Sequence, residues 1–360
     1  MRHRYRLAAA VTAPLMLVSL AACSGSAGGG ESGDDISITM VQGVTGLPFA
    51  QTAAAGAKAA IADVGGIGFD IAGPANIDPA AEVKIFQQVV STRPRAILLH
   101  ELPPELFTRP VEDAEAAGVV VLPYNIAPTA DSSSTSYVGG SGADLGRMGA
   151  DAMADQLIKQ AGSEDVTGEI VTGICVPGLS VIQSRIDGFK ERLAERLPNV
   201  VVLDPFDSKT DPAQDFTVWQ QAVSANPNAL GMMSPCEADV QNLIKIKRDS
   251  DADWLLAAFD INDEILKGYR DGLLVSLTPE SHYMIGYVSA RILAESLKNG
   301  TDLPEGWVEI PVVPVTDENI DAIEVREGSE EAQAAFWKPY IDDLFSKDPL
   351  VTRPLSDYFE

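Results

Sequence analysis

The sequence predicts an α/β protein with two doubly wound parallel-sheet lobes. Segments with helical apolar spacing alternate with short β-branched runs along most of the 360 residues. Such alternation is typical of βαβ units around a parallel sheet that is covered on both faces. The alternation restarts near residue 136, which indicates a second unit like the first. After the leader about 325 residues remain, a length that suits two domains of ordinary size.

The first unit begins at residue 36 and contains four strand-like runs. The runs are short, apolar and bounded by turn residues, as expected for strands; in order they read ISITMV, GFDIAG, AILLH and VVVLPY. Helical patterns separate them: PFAQTAAAGAKAAIADV, PAAEVKIFQQVVST and PELFTRPVEDAEAAG. The apolar residues of the middle helix fall on one face, which should cover the sheet.

The second unit repeats this order from residue 136. Its predicted strands are TSYVGG, GEIVTGIC, NVVVLD, ALGMM, WLLAAFD and LLVSLTP, each followed by a helical pattern. The last of these helices stops at Gly300, where a left-handed glycine commonly ends a helix. Past Trp307 the pattern changes: WVEIPVVPVT predicts a final strand, EEAQAAFWKPYIDDLF a helix, and the rest irregular structure. We therefore predict an acidic C-terminal tail at 316–360.

The amino-terminal segment predicts export and lipidation. Three arginines precede an uncharged run from Leu7 to Ala22, which is shorter than the roughly 20 residues of a membrane span and is typical of a secretory signal. Its end, Leu-Ala-Ala followed by Cys23, resembles the bacterial lipobox, which implies cleavage before the cysteine and acylation of its thiol. The prediction is a signal peptide at 1–22, lipidation at Cys23, and a flexible tether at 23–35. The alternative is an ordinary signal peptide with an incidental cysteine.

The charge balance excludes some partners. The chain has 52 acidic and 26 basic residues and a formal net charge of −26, which repels nucleic acid and anionic surfaces. We therefore expect no nucleic-acid partner. The same field disfavours an anionic ligand, although a local pocket can override it.

The cysteine count predicts a disulfide and no metal site. Apart from Cys23, the chain contains only Cys175 and Cys236, and two cysteines in an extracytoplasmic protein favour one bond. These cysteines and the histidines His100 and His282 lie far apart in sequence, without the spacing of a structural zinc site. No metal or other cofactor is expected.

Five motifs stand in one order along the chain: GLPFA, AEAAGVVVLPYN, YVGGSGADLGRMGA, SRIDGFKERL and LLAAFDINDEILKGYRDGLL. In this order they resemble the type I periplasmic binding proteins, and within these the ribose/galactose-type sugar-binding lipoproteins of ABC importers. The resemblance runs from about Ile36 to Gly300. It implies a periplasmic-binding-protein type I fold, in which a three-segment hinge crosses between the lobes near Tyr137, Thr278 and Val308.

The resemblance also implies discontinuous lobes. The N-terminal lobe is expected at 36–138 plus about 281–306, and the C-terminal lobe at 139–280 plus about 307–315. Since α/β sheets bind ligands beyond the carboxyl ends of their strands, the ligand is expected between the lobes.

Several side chains match, or stand close to, ligand positions of the family. Phe49 matches an aromatic ring of the family pocket, and Arg185 matches a pocket arginine. Asp260 matches an aspartate that is retained. Asn125 stands where the family usually has an aspartate, and Glu280 stands where glutamine is usual. The alternatives are a core phenylalanine, a surface arginine and a helix-capping aspartate. His100 and Glu101 end the strand AILLH and could line the cleft, or His100 could bond to backbone. The family pattern is altered at Leu47, Ala50, Asn125 and Pro235, so the particular sugar is not specified.

The expected strand order also supports the disulfide. In the order 2-1-3-4-5 the first and third strands of a lobe are neighbours, which brings Cys175 and Cys236 within reach of each other. Such a bond would stabilise the fold by about 4 kcal/mol in the chain-entropy model. Two unpaired buried thiols are the alternative.

These observations predict a substrate-binding lipoprotein, not an enzyme. The sequence has no Walker A, H-E-x-x-H or G-x-S-x-G motif, and GGSGADLG places Leu145 where a dinucleotide fingerprint needs its third glycine. The expected protein captures a small neutral monosaccharide or polyol and delivers it to an ABC permease with its ATPase. It is expected to be monomeric, extracytoplasmic and lipid-anchored to the bacterial cell membrane. The alternative is a lipoprotein receptor that presents its ligand to a membrane sensor.

Overall fold

The computed structural model describes residues 36–250, 252–347 and 349–358. The predicted signal peptide at 1–22, the lipidated Cys23 and the tether at 23–35 lie outside the described residues. In the part of the chain that is described, no helix combines the length and the apolar character needed to cross a membrane.

The first lobe contains a four-stranded parallel sheet in the order β2-β1-β3-β4. Its strands are β1 (Ser37–Val41), β2 (Gly68–Ala72), β3 (Ala96–Leu99) and β4 (Val120–Pro123), and β5 (Ser136–Gly139) lies outside this sheet. The helices are α1 (Pro48–Val64), α2 (Pro79–Ser91) and α3 (Thr108–Ala116), with a 3₁₀ turn at Pro104–Leu106. Every residue of β3 is buried, because helices cover both faces of a parallel sheet.

The second lobe contains a parallel sheet in the order β11-β10-β9-β6-β7. Read from β7 and numbered without β8, which lies off this path, this is the predicted order 2-1-3-4-5. The strands are β6 (Gly168–Ile174), β7 (Val200–Val202), β8 (Phe206–Asp207), β9 (Gly231–Ser234), β10 (Leu255–Ala258) and β11 (Ser276–Leu277). The helices are α4 (Gly142–Ala161), α5 (Ser180–Arg196), α6 (Pro212–Ala225), α7 (Glu237–Ser250) and α8 (Asp263–Arg270). The sequence did not predict β8, a two-residue strand that pairs with the end of β6.

The chain crosses between the lobes three times. Strand β5 pairs in parallel with β12 (Gly306–Glu309), and the segment after β11 leads to α9 (His282–Asn299), which ends at Gly300 with φ 64°. Helix α9 returns to the first lobe and packs on α1. A Cβ on Gly286 would lie 1.9 Å from the Ala53 carbonyl oxygen, so this close helix contact requires glycine.

The carboxyl-terminal region packs on the body of the protein. It contains α10 (Ile320–Glu327), α11 (Glu330–Phe345) and a 3₁₀ turn at Leu355–Tyr358. Ile323 of α10 is fully buried in a second-lobe cluster, and Trp337 of α11 is 2% exposed in the first-lobe core. The segment predicted as an acidic tail therefore joins both lobes, and the sequence did not predict α10.

Candidate functional site

Two adjoining cavities lie where the strand ends of the two lobes meet. The larger, of about 70 Å³, is lined by Phe49 of the first lobe and Asp260 of the second, and the smaller, of about 10 Å³, lies on the first-lobe side. Both have Phe49 and His282 in their walls. Both cavities are smaller than a typical small-molecule site of roughly 300–1,000 Å³, but they lie at the edge where α/β sheets bind ligands.

Phe49 presents an aromatic ring to both cavities. It follows Pro48, which occupies the first position of α1, where the missing N–H costs no hydrogen bond. The Phe49 ring centroid lies 6.1 Å from that of His100 and 5.3 Å from that of His282. Ala50, where the family resemblance has a second phenylalanine, lines the smaller cavity.

His100 and Asn125 form a hydrogen-bonded pair at the ends of β3 and β4. Asn125 Nδ2 donates to His100 Nε2 at 3.0 Å, and both residues line the smaller cavity. Burial lowers the pKa of His100 to about 3, so its imidazole is neutral at physiological pH. Asn125 has φ 65°, a left-handed conformation that asparagine tolerates better than most residues.

Arg185 lies behind the larger cavity and pairs with two carboxylates of its wall. Its Nη2 donates to Glu280 Oε2 at 2.7 Å, its Nη1 donates to the Pro235 carbonyl at 3.1 Å, and Nη1 lies 3.7 Å from Asp260 Oδ1. Burial raises the pKa values of Asp260 and Glu280, and the guanidinium opposes this rise. Arg185 thus offsets negative charge in the cleft.

Glu101 is 1% exposed and does not line either of these two cavities. Burial raises its pKa to about 8. Nearby Glu82 is also buried, and its pKa rises to about 9 because of burial and the charge of Glu101. These two acids therefore belong to the protein behind the cleft wall.

The structure brings five of the seven predicted ligand residues to the cavity walls, namely Phe49, His100, Asn125, Asp260 and Glu280. Arg185 touches this set from behind, and Glu101 lies outside it. Direct ligand contact by any of the seven stays a prediction.

Sequence reasoning missed several wall residues, among them His282, Arg326 and Trp337. His282 begins α9, and its Nε2 lies 4.0 Å from Glu280 Oε2; burial lowers its pKa to about 4. Its position two residues after Glu280, at a hinge crossing, was a usable signal. Arg326 and Trp337 also line the larger cavity. They come from the carboxyl-terminal region, where no motif indicated a role.

Several polar atoms beside the cavities lack hydrogen-bond partners among the described residues: Asn125 Oδ1, Glu280 Oε1 and His282 Nδ1. A buried polar group without a partner costs about 1–3 kcal/mol. This wall therefore favours a polar molecule that can form hydrogen bonds. Within the described ranges, no three His, Cys, Asp or Glu side chains come together as a metal site.

The predicted disulfide joins Cys175, which follows β6, to Cys236, which precedes α7. Their Cα atoms lie 6.2 Å apart. The pairing follows from the sheet, because β6 and β9 are hydrogen-bonded neighbours. The bond fixes the second-lobe edge next to Glu237, a residue of the larger cavity wall.

A family profile described as a periplasmic binding protein domain matches residues 38–302. The chain belongs to the periplasmic binding protein family. Membership places this periplasmic binding protein among substrate-binding proteins and not among enzymes. A search of curated protein sequences finds no significant match.

Solved structures of similar fold include two solute-binding proteins and a periplasmic ribose ABC transporter. A carbohydrate transporter solute-binding protein from Agrobacterium radiobacter, in complex with D-arabinose, is 21% identical with a TM-score of 0.73, over 82% of this chain and 99% of that one. An Agrobacterium vitis ABC transporter solute-binding protein with bound D-fucose is 20% identical with a TM-score of 0.71, over 80% and 98%. A periplasmic ribose ABC transporter protein from Conexibacter woesei is 20% identical with a TM-score of 0.69, over 82% and 95%.

Proposed function

We propose that this periplasmic binding protein captures a small neutral sugar or polyol between its lobes and delivers it to the permease of an ABC importer. The observation that carries the proposal is a cavity walled by both lobes that combines an aromatic face with buried, partly unpaired polar groups. Proteins of the same fold hold D-arabinose and D-fucose, which supports the same class of ligand here.

The chemistry of the wall suits a sugar. A pyranose or furanose has apolar C–H faces and a rim of hydroxyls. The Phe49 ring offers an apolar surface to the C–H faces of the sugar. Asp260 and Glu280 accept hydrogen bonds from hydroxyls, and such charge-assisted bonds are stronger than neutral ones.

The charge of the site favours a neutral ligand. Arg185 offsets part of the charge of Asp260 and Glu280, while His100 and His282 are uncharged at neutral pH because burial lowers their pKa values. A strongly charged ligand would leave this balance uncompensated in a desolvated site.

Capture would couple to lobe closure. A ligand that touches both lobes binds the closed state more tightly and shifts the population toward it. In this proposal the lobes are 36–138 plus about 281–306 and 139–280 plus about 307–315. Lipidation of Cys23 and the tether at 23–35 would hold the protein at the outer face of the cell membrane, within reach of the permease.

A thermal-shift screen of the purified mature protein against monosaccharides, polyols and nucleosides tests the proposal. Ligand at 100 times its Kd should add about 2.7 kcal/mol of stability by mass action, so a true ligand raises the melting temperature clearly. Calorimetric titration of each hit then gives the Kd. A panel in which no sugar or polyol raises the melting temperature would overturn the proposal.

A further inference from the structure

The carboxyl-terminal segment 320–345 bridges the two lobes across the cleft. Helix α10 is held on the second lobe, where Arg270 Nε pairs with Glu324 Oε1 at 2.6 Å and Arg270 also pairs with Asp321. Ile320 and Ile323 are buried against that lobe. These contacts fix the first helix of the bridge.

Helix α11 is held on the first lobe. Trp337 and Ile341 are buried in the core cluster that contains α1 and α9. The Arg291 guanidinium of α9 lies 3.9 Å from the centroid of the Phe345 ring, a cation–π distance. The junction between α10 and α11 must therefore pass over the gap between the lobes.

This junction carries a buried arginine that lines the ligand cavity. Arg326 is 4% exposed and shares the larger cavity with Phe49, Asp260 and His282. Its Nε lies 2.6 Å from Glu327 Oε1, and its guanidinium carbon lies 4.9 Å and 5.3 Å from the ring centroids of Phe336 and Trp337. The ion pair and the two rings fix the guanidinium in one orientation.

Arg326 differs from Arg185 in the donors that it has left. Arg185 already donates through both terminal nitrogens. For Arg326, the described residues provide a hydrogen-bond partner to Nε only. Both of its terminal nitrogens thus remain as donors beside the cavity.

We propose that segment 320–345 completes the ligand site. In this proposal Arg326 donates hydrogen bonds to a ligand hydroxyl, and Gln333 lines the same cavity. The inference rests on the proposed sugar or polyol binding and deepens it. Family membership does not imply it, because the family profile ends at residue 302. The segment would make this cleft more selective by adding a fixed donor at its mouth.

Binding measurements on matched variants test the inference. The sugar that binds the wild type best in calorimetry is titrated into Arg326→Met, Arg326→Lys and Gln333→Ala. The control is Lys338→Ala, whose side chain is 71% exposed and lies on α11 together with Gln333. We expect Arg326→Met to weaken Kd at least tenfold, Gln333→Ala to weaken it severalfold, and Lys338→Ala to bind as the wild type. Melting temperatures without ligand identify any variant that misfolds. If Arg326→Met misfolds, the affinities of Arg326→Lys and Gln333→Ala decide whether the segment takes part in binding.

Monodeoxy analogues of the same sugar separate direct contact from a structural role. One analogue should bind the wild type more weakly than the parent sugar, yet bind Arg326→Met equally well as the parent. If every analogue keeps its discrimination in Arg326→Met, or the folded variants bind as the wild type, the inference is wrong while sugar binding stands. If the wild type binds no sugar or polyol, the proposed function fails first, and this inference fails with it.

Discussion

Phe49 is where a single side chain has the clearest expected effect on binding. Its ring borders both cavities and lies against His100 and His282. We expect Phe49→Ala to weaken sugar affinity about tenfold, since one aromatic contact is worth roughly 0.5–1.5 kcal/mol beyond its buried area. Leu106→Ala, at a residue that is 47% exposed, is the control for calorimetric titration. Equal affinities for the two variants would contradict a role for the ring.

The buried pair of Arg185 and Glu280 contributes to the stability of the folded protein. Its side chains are 5% and 2% exposed, and removal of one partner leaves a buried charge without compensation. Arg185→Met should therefore lower the free energy of unfolding by about 3–5 kcal/mol, measured by urea denaturation. The double variant Arg185→Met/Glu280→Gln should recover most of that loss. A single variant as stable as the wild type would show that the pair does not neutralise the site.

Among the elements, neighbouring strands β6 and β9 bring the cysteines together. The disulfide closes a loop with a sequence separation of 61 residues. The chain-entropy model then predicts that its loss costs about 4 kcal/mol. We expect a reductant to lower the urea midpoint of the wild type by an amount that corresponds to this loss in the free energy of unfolding. The urea midpoint of a Cys175→Ser/Cys236→Ser variant should not change. Two reactive thiols per denatured, non-reduced chain would contradict the bond.

For the molecule as a whole, buried acids predict a loss of stability as pH rises. In the folded state the pKa of Glu82 is about 9 and that of Glu101 about 8, against an ordinary value of 4.5. Between about pH 5 and pH 8 the folded protein keeps these protons while the unfolded chain releases them, so stability from these groups falls with rising pH.

The variant Glu82→Gln measures this contribution. Relative to the wild type, its free energy of unfolding should rise by at least about 1 kcal/mol from pH 5 to pH 8, since one pKa unit corresponds to 1.36 kcal/mol. Glu105→Gln, at an exposed position, should show no such trend in urea denaturation. Parallel pH profiles for the wild type and Glu82→Gln would mean that Glu82 ionises normally in the folded protein.

The sequence by itself determined the alternation of strands and helices, the parallel sheets and the end of α9 at Gly300. Apolar periodicity and glycine conformation are local properties, so a short stretch of sequence is enough to detect them. Its motifs also indicated Phe49, Asn125 and Asp260, through their resemblance to ligand positions of the family. The two-residue strand β8 was too short to leave a pattern.

Only the tertiary structure decided which distant residues share the cleft. His282 reaches it because the chain crosses the hinge just before α9, and Arg326 and Trp337 reach it because α10 and α11 pack on opposite lobes. Glu82 looks like an ordinary surface acid in the sequence, yet it is fully buried. Burial and proximity arise from contacts between segments far apart along the chain, and no local pattern encodes them.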